Sequence, residues 1–234
     1  MTLLGIIASS RATAAPVTTG ITGFWDAGNA ASYTGTSTWT DLSPAGNNFA
    51  LSATTSGGSG NQTYVVFNGT NAHGSMAASV IPNRSTTSLT VSVWVYTTAA
   101  TQMEWISNWS TNNGQNFFMG LRNYSSGDTL ASLMIEDGYS VGLVSVGLNN
   151  WVNWVIVNDI SGNNAYVYRN NVLIATKGSD LDTTNVTSLY IGRQGVLDAE
   201  YFTGRMAVIQ TYSRALSTGE LTQNWDFFRG RYGL

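Results

Sequence analysis

From about Gly20 onward, apolar and polar residues alternate in short runs broken by Gly, Asn and Ser. Alternation with a period of two marks strands that bury one face. The clearest run is SLTVSVWVYTT, in which Leu89, Val91, Val93 and Val95 share one face and Thr90, Ser92, Trp94 and Tyr96 the other. The valine face is expected to point inward and the second face toward solvent or another layer. Similar runs are TYVVFNG, NFFMGLRN, LASLMIED, NNWVNWVIVND, NAYVYRN, NVLIATKG, SLYIGR and GRMAVIQTYSR. AYVYRNNVLIATKG reads as a hairpin, because Asn170 and Asn171 tolerate the positive φ of a tight turn. Many strands at short spacing, with no helical stretch between them, predict a two-sheet sandwich.

One segment departs from this pattern. In ALSTGELTQNWDFF, Ser217 and Glu220 form an S-x-x-E capping box, with Leu216 and Leu221 placed as a hydrophobic staple around it. Leu221, Trp225 and Phe228 then fall on one helical face. The spacing predicts a short helix packed on the rim of the sandwich. At the other end, Ala8 to Thr19 has no core-forming period and reads as an extended tether joining LLGII to the domain. The expected organisation is an arm over 1–19 and a domain over 20–234.

Composition narrows the partners. Only 10% of the 234 residues are charged, against about 25% in an average domain. The surface must therefore be built from Ser, Thr, Asn and Gly, which suits sugars and protein contacts. A net charge of −3 and one lysine, Lys177, speak against nucleic acid and anionic membrane. There are no cysteines and one histidine, His73, so thiol chemistry and a histidine zinc site are excluded.

The order of the pieces adds to this. GFWDAGNAASYTGTSTWTDLSPAGNNFAL, VVFNGTNAHGSM, SLTVSVWVYTT, NNWVNWVIVND, AYVYRNNVLIATKG, SLYIGRQ and YFTGRMAVIQTYSRALSTGELTQNW together resemble the laminin-G-like, concanavalin A-like jelly-roll family over roughly residues 20–230. The resemblance implies an all-β, two-sheet antiparallel jelly roll with a short C-terminal helix. The ends, LLGIIASS and NWDFFRGRYGL, resemble those of structural proteins of tailed bacteriophages.

Hydrolases share this fold, so paired acids were sought. No strand carries acids alternating on one face. Glu136 and Asp137 are adjacent and point apart, Asp180 and Asp182 sit in a polar loop, and Glu104 meets Glu136 only if their strands bring them together. No G-x-S-x-G elbow accompanies His73. No cofactor is expected. Calcium, which several relatives bind, needs six to eight oxygens. Asp26, Asp41, Asn47 and Asn48 carry oxygens near the start, but Asp41 is expected to hold the TDLSPAGNN turn. Relatives often read Gly-x-Ile-Asp-Glu in the closing strand, whereas this chain reads Gly204-Arg205-Met206-Ala207-Val208, which leaves Asp198 and Glu200 as the remaining metal candidates.

Sugar binding is the expected site-level activity. Trp109 lies in a polar loop with Asn112 and Asn113, and Tyr124 and Tyr139 lie in neighbouring loops, whereas Trp105 is expected in the core. Trp109 could equally cap the sandwich or lie in a subunit contact. ATAA looks like an export cleavage site, yet no Lys or Arg precedes LLGII and Arg11 follows it, so the segment is read as retained. The expectation is a non-catalytic virion structural protein (capsid decoration, head fibre or tail-associated), a homo-oligomer docked on other virion proteins through Leu3, Leu4, Ile6 and Ile7. The alternative is a carbohydrate-binding adhesin, on a phage fibre or secreted, that touches host glycans. A glycoside hydrolase is disfavoured by the missing acid pair.

Overall fold

The computed structural model describes residues 13–77, 80–82, 86–107, 117–122, 130–136, 139–145, 147–178, 188–195 and 198–234, with the backbone alone for 118, 122, 130–136 and 139–145. Its strands are β1 (Ile21–Asp26), β2 (Thr38–Trp39), β3 (Phe49–Ser52), β4 (Thr55–Gly57), β5 (Tyr64–Asn68), β6 (His73–Met76), β7 (Leu89–Thr97) and β8 (Met103–Ser107). There follow β9 (Phe117–Arg122), β10 (Leu130–Glu136), β11 (Tyr139–Ser145), β12 (Trp151–Asp159), β13 (Asn164–Arg169), β14 (Val172–Gly178), β15 (Leu189–Ile191) and β16 (Thr203–Tyr212). The helix α1 (Thr218–Arg229) and a 3-10 turn, Gly230–Tyr232, close the chain.

Two antiparallel sheets of eight strands face each other. Sheet A runs β14-β13-β12-β7-β16-β5-β4, and sheet B runs β11-β10-β9-β8-β15-β6-β3-β2. One edge of β16 is shared by two partners: Thr203 to Met206 pair with β5, and Val208 to Tyr212 pair with β1. Between the sheets Leu89, Val91, Val93 and Val95 meet Met103, Trp105, Phe117 and Met119, all buried as the valine face predicts. Trp105 of sheet B stacks on Trp154 of sheet A, ring centres 5.7 Å apart and 23° from parallel. The β13–β14 hairpin turns at Asn170 and Asn171, with φ of 50° and 62°, the geometry of a two-residue primed turn.

The second face of β7 is also buried. Trp94 is 1% exposed, because α1 and the final turn lie across the outer face of sheet A. Trp225 stacks on Trp94 at 5.3 Å, and Phe228 and Tyr232 approach it at 6.2 and 4.9 Å. The helix was expected on the rim; it covers the middle of the sheet instead. The reason is the Trp94–Val208 row, an apolar outer surface that water would otherwise wet. Full burial of each such large side chain is worth about 1.5–3 kcal/mol.

Helix α1 is pinned at its start. Ser217 Oγ accepts from the Glu220 N–H and Glu220 Oε2 accepts from the Ser217 N–H, so the capping box is complete. Leu216 and Leu221 are buried together, as the staple requires. Arg214 donates to both Glu220 oxygens at 2.9 and 2.6 Å and, through Nε, to the Thr19 carbonyl at 2.8 Å. The residues just before Gly20 do not behave as a linker. Val17 is buried, its N–H donates to Asn224 Oδ1, and its carbonyl accepts from the Tyr212 hydroxyl. Gln223 Nε2 donates to the Ala15 carbonyl at 2.6 Å. Residues 15–19 are thus a strap lying along α1, and their backbone groups explain why: they satisfy polar side chains of the helix.

The Arg214 guanidinium and the Ser217 N–H hold the Glu220 carboxyl well below its ordinary 4.5, at about 2. A carboxylate depressed in the folded state stabilises above its unfolded pKa and stops doing so as pH falls through the folded one. Replacing Glu220 with Gln is expected to cost about 1–2 kcal/mol at pH 7 from the lost cap and ion pair. Urea unfolding followed by circular dichroism should show that gap shrinking as pH drops from about 4.5 toward about 2.

Candidate functional site

Where the cover over sheet A ends, a group of aromatic rings is left half open. Tyr96, at the end of β7, stands opposite Trp151 of β12 on one side and Arg205 of β16 on the other. Tyr64 opens β5, two residues before Val66, which pairs with Arg205. Directly paired residues share a face, so these side chains all project outward. Trp151 and Trp154 are three apart, an odd spacing that sends Trp154 into the core and Trp151 out. Ring centres lie 5.7 Å apart for Tyr64–Trp151, 5.7 Å for Tyr96–Trp151 and 4.7 Å for Trp151–Tyr232.

The last ring, Tyr232, is held in place from below. Arg231 NH1 donates to Asp26 Oδ1 and Oδ2 at 3.0 and 2.8 Å, and Asp26 Oδ1 also accepts from the Gly28 N–H. The Arg231 carbonyl accepts from Gln62 Nε2 at 2.8 Å. Phe227 and Phe228 lie 5.2 and 4.9 Å from the same guanidinium. Burial raises the Asp26 carboxyl above its ordinary value against the opposing pull of Arg231. Burial likewise pushes the Tyr232 phenol up, against the opposing pull of Arg231.

These residues enclose a basin of about 260 Å³, lined by Gln62, Tyr64, Trp151, Arg231 and Tyr232. Its floor needs Gly58, at φ +75°, where a Cβ would sit 2.2 Å from the Gln62 carbonyl oxygen. A second cavity of about 450 Å³ shares Gln62 and Arg231 and is bounded by Thr13, Asn61 and Phe227. Chemically the basin offers flat ring faces with polar groups at the edge. That combination suits a ligand with C–H faces and hydroxyls.

The basin is built from residues other than those singled out from sequence. Trp109, Asn112, Asn113 and Tyr124 lie outside the described residues, as do Leu3, Leu4, Ile6 and Ile7, and Tyr139 is described by its backbone alone. The flanking strand ends are separated. Ser107 and Phe117, which bound 108–116, lie at the Tyr139 end of sheet B, while Arg122 and Leu130, which bound 123–129, lie at the other.

The described acids are engaged by protein donors. Asp198 accepts from Arg193 and Tyr201, and Glu200 accepts from Gln102. Asp26 is engaged by Arg231, and Asp41 holds its turn through the N–H groups of Phe24, Ser43 and Asn47 at 2.8–2.9 Å, as expected. Among the described residues no three of His, Asp and Glu gather as metal ligands. Glu104 stands opposite Gly120 and Gly120 opposite Met134, whereas Glu136 stands opposite Phe117. Strand β9 thus separates the two glutamates, and they do not share a row.

With this geometry in hand, the chain belongs to the concanavalin A-like lectin/glucanases superfamily, whose laminin-G family model matches residues 59–222. No curated protein sequence matches it. Among solved structures it is similar to the receptor-binding domain of botulinum neurotoxin D, with 11% identity and a TM-score of 0.67 over 89% of this chain and 52% of that one. It is also similar to domain 4 of an extracellular arabinanase from Geobacillus stearothermophilus, solved with arabinotriose, with 16% identity and a TM-score of 0.59 over 87% of this chain and 97% of that one. A sialidase from Trypanosoma rangeli, solved with sialic acid, gives 14% identity and a TM-score of 0.65 over 91% of this chain and 33% of that one. The chain spans about half the length of the toxin binding domains. At these identities the likeness is one of fold. Among the described residues no helix is long and apolar enough to cross a membrane.

The two tryptophans of β12 should separate packing from site. Trp154→Ala is expected to cost about 3–5 kcal/mol in denaturant unfolding, as for other core Trp truncations. Trp151→Ala should cost only about 1–2 kcal/mol, since one side of its ring already meets water.

Proposed function

We propose that the domain is a non-catalytic carbohydrate-binding module that takes a glycan on the rings of Tyr64, Trp151 and Tyr232. The observation that carries this reading is the half-open aromatic basin, whose rings are fixed by strand pairing and by the Asp26–Arg231 pair. A preformed apolar surface with polar edges loses little freedom on binding a sugar. The superfamily and the arabinotriose-bound neighbour support the ligand class. The engagement of Asp26, Asp41, Asp198, Glu200 and Glu220 by protein donors supports the non-catalytic part.

Trp151→Ala and Tyr64→Ala should each weaken binding on a glycan array by about tenfold or more, in line with the loss of one central aromatic contact. Retention of full binding by both variants would rule the basin out. Binding lost instead on Trp109→Ala would move the site to that loop.

The setting is a second proposal: display on a virion through residues 1–19, or secretion as an adhesin. The observation favouring an anchored arm is the strap, since Val17, Thr19 and Ala15 are bonded to α1 and β16 and would transmit a docking contact to the domain. Deleting residues 2–12 should leave the thermal midpoint unchanged and abolish incorporation into the particle. Full incorporation of the deleted chain would discard this reading.

A further inference from the structure

The described arginine side chains find different partners. Arg193, Arg214, Arg229 and Arg231 each pair with a carboxylate: Asp198, Glu220, Asp226 and Asp26. Arg205 does not. Its guanidinium lies 4.4 Å from the ring centre of Tyr96 and 4.9 Å from that of Tyr64. Among the described residues it makes no hydrogen bond or ion pair. Both of its ring partners belong to the aromatic group of the basin, and each lies 5.7 Å from Trp151.

A guanidinium fixed this way has an unusual balance of order and free valence. Two ring faces restrict it, so little side-chain freedom is left to lose when a ligand arrives. Its N–H donors meanwhile keep their hydrogen-bonding capacity, in a fork that matches a carboxylate. Four other arginines are closed by a carboxylate that the chain supplies, and Arg169 lies 5.8 Å from the ring centre of Trp154. At Arg205 the chain supplies rings instead.

We propose that the basin takes a carboxylate-bearing glycan, with the sugar ring laid on Tyr64 and Trp151 and its carboxylate received by Arg205. This rests on the carbohydrate-binding reading above and names the ligand class for the same site. Tyr64 is the shared element: it is a wall of the basin and also a face of the Arg205 pocket. A sugar stacked there therefore has its ring substituents next to the guanidinium. The carboxylate can come from a uronic acid in the chain of the glycan or from a terminal sialic acid; both present the same planar anion beside a pyranose face.

The test is isothermal titration of the full chain with two matched pairs: trigalacturonate against its methyl ester, and sialyllactose against lactose. The acidic member of at least one pair should bind about tenfold or more tighter than its neutral partner, the size of one charge-assisted contact. The pair that shows the preference identifies the source. The preference should shrink as salt is raised, because the site is half exposed. Arg205→Gln should bring the acidic-to-neutral affinity ratio close to one, and Arg205→Lys should keep part of the preference. The methyl-ester comparison on the unaltered chain stands whether or not the variants fold. Equal affinity for acidic and neutral members in both pairs overturns the assignment, as does a preference that survives Arg205→Gln. Trp151-dependent binding of neutral sugars with no acidic preference overturns this inference alone. Absence of binding to every probe overturns it together with the carbohydrate-binding reading.

Discussion

Trp94 has to be covered. It stands at the centre of the outer face of sheet A, on a strand whose other face is packed with valines. The Trp94–Val208 row makes the outer face of the sheet apolar at its centre as well, so a layer is needed against each face, and sheet B supplies only one. The second is the C-terminal segment. Its capping box, its staple, the Arg214–Glu220 pair and the strap at 15–19 all hold α1 over that one row of the sheet. Residues 15–19 and the C-terminal segment are therefore part of the fold's energetics.

The candidate site follows from where that cover stops. Helix α1 crosses Trp94 and turns at Gly230, and Tyr232 is the last ring it lays down. Beyond it Trp151, Tyr96 and Tyr64 lie on the same sheet face beside one another and Arg205, with Tyr232 against Trp151. The buried Asp26–Arg231 pair fixes the boundary. Breaking one partner of such a pair leaves an uncompensated charge in a dry setting, which is strongly unfavourable. The edge of the basin is thus as well defined as the core, although it lies near a chain terminus, where order is usually lost.

Much of this was legible in the sequence, and the rest was hidden for a physical reason. Local rules located β7, the Asn170–Asn171 turn, the Asp41 turn and the Ser217–Glu220 box, because each depends on residues a few positions apart. The position of α1 was misread as a rim. Trp94 and Trp225 carry no local sign that they stack, and only the crossing of distant segments brings them together. The same holds for Asp26 and Arg231, which are 205 residues apart. Trp151 was within reach: its odd spacing from Trp154 says that one of the pair must leave the core. Arg205 carried a hint as well, since it stands in the closing strand where relatives often have acids. Its meaning needed Tyr64 and Tyr96, which come from two other strands.

The central claim is that the rings over sheet A, rather than another surface, receive the glycan. It can be tested directly by recording the indole N–H signals of the eight tryptophans in a nitrogen–proton correlation spectrum during titration with an acidic oligosaccharide. The account predicts that the Trp151 indole shifts progressively to saturation, while those of Trp25, Trp39, Trp105 and Trp154 in the core stay in place. A saturating shift at Trp109 with Trp151 unmoved would contradict it.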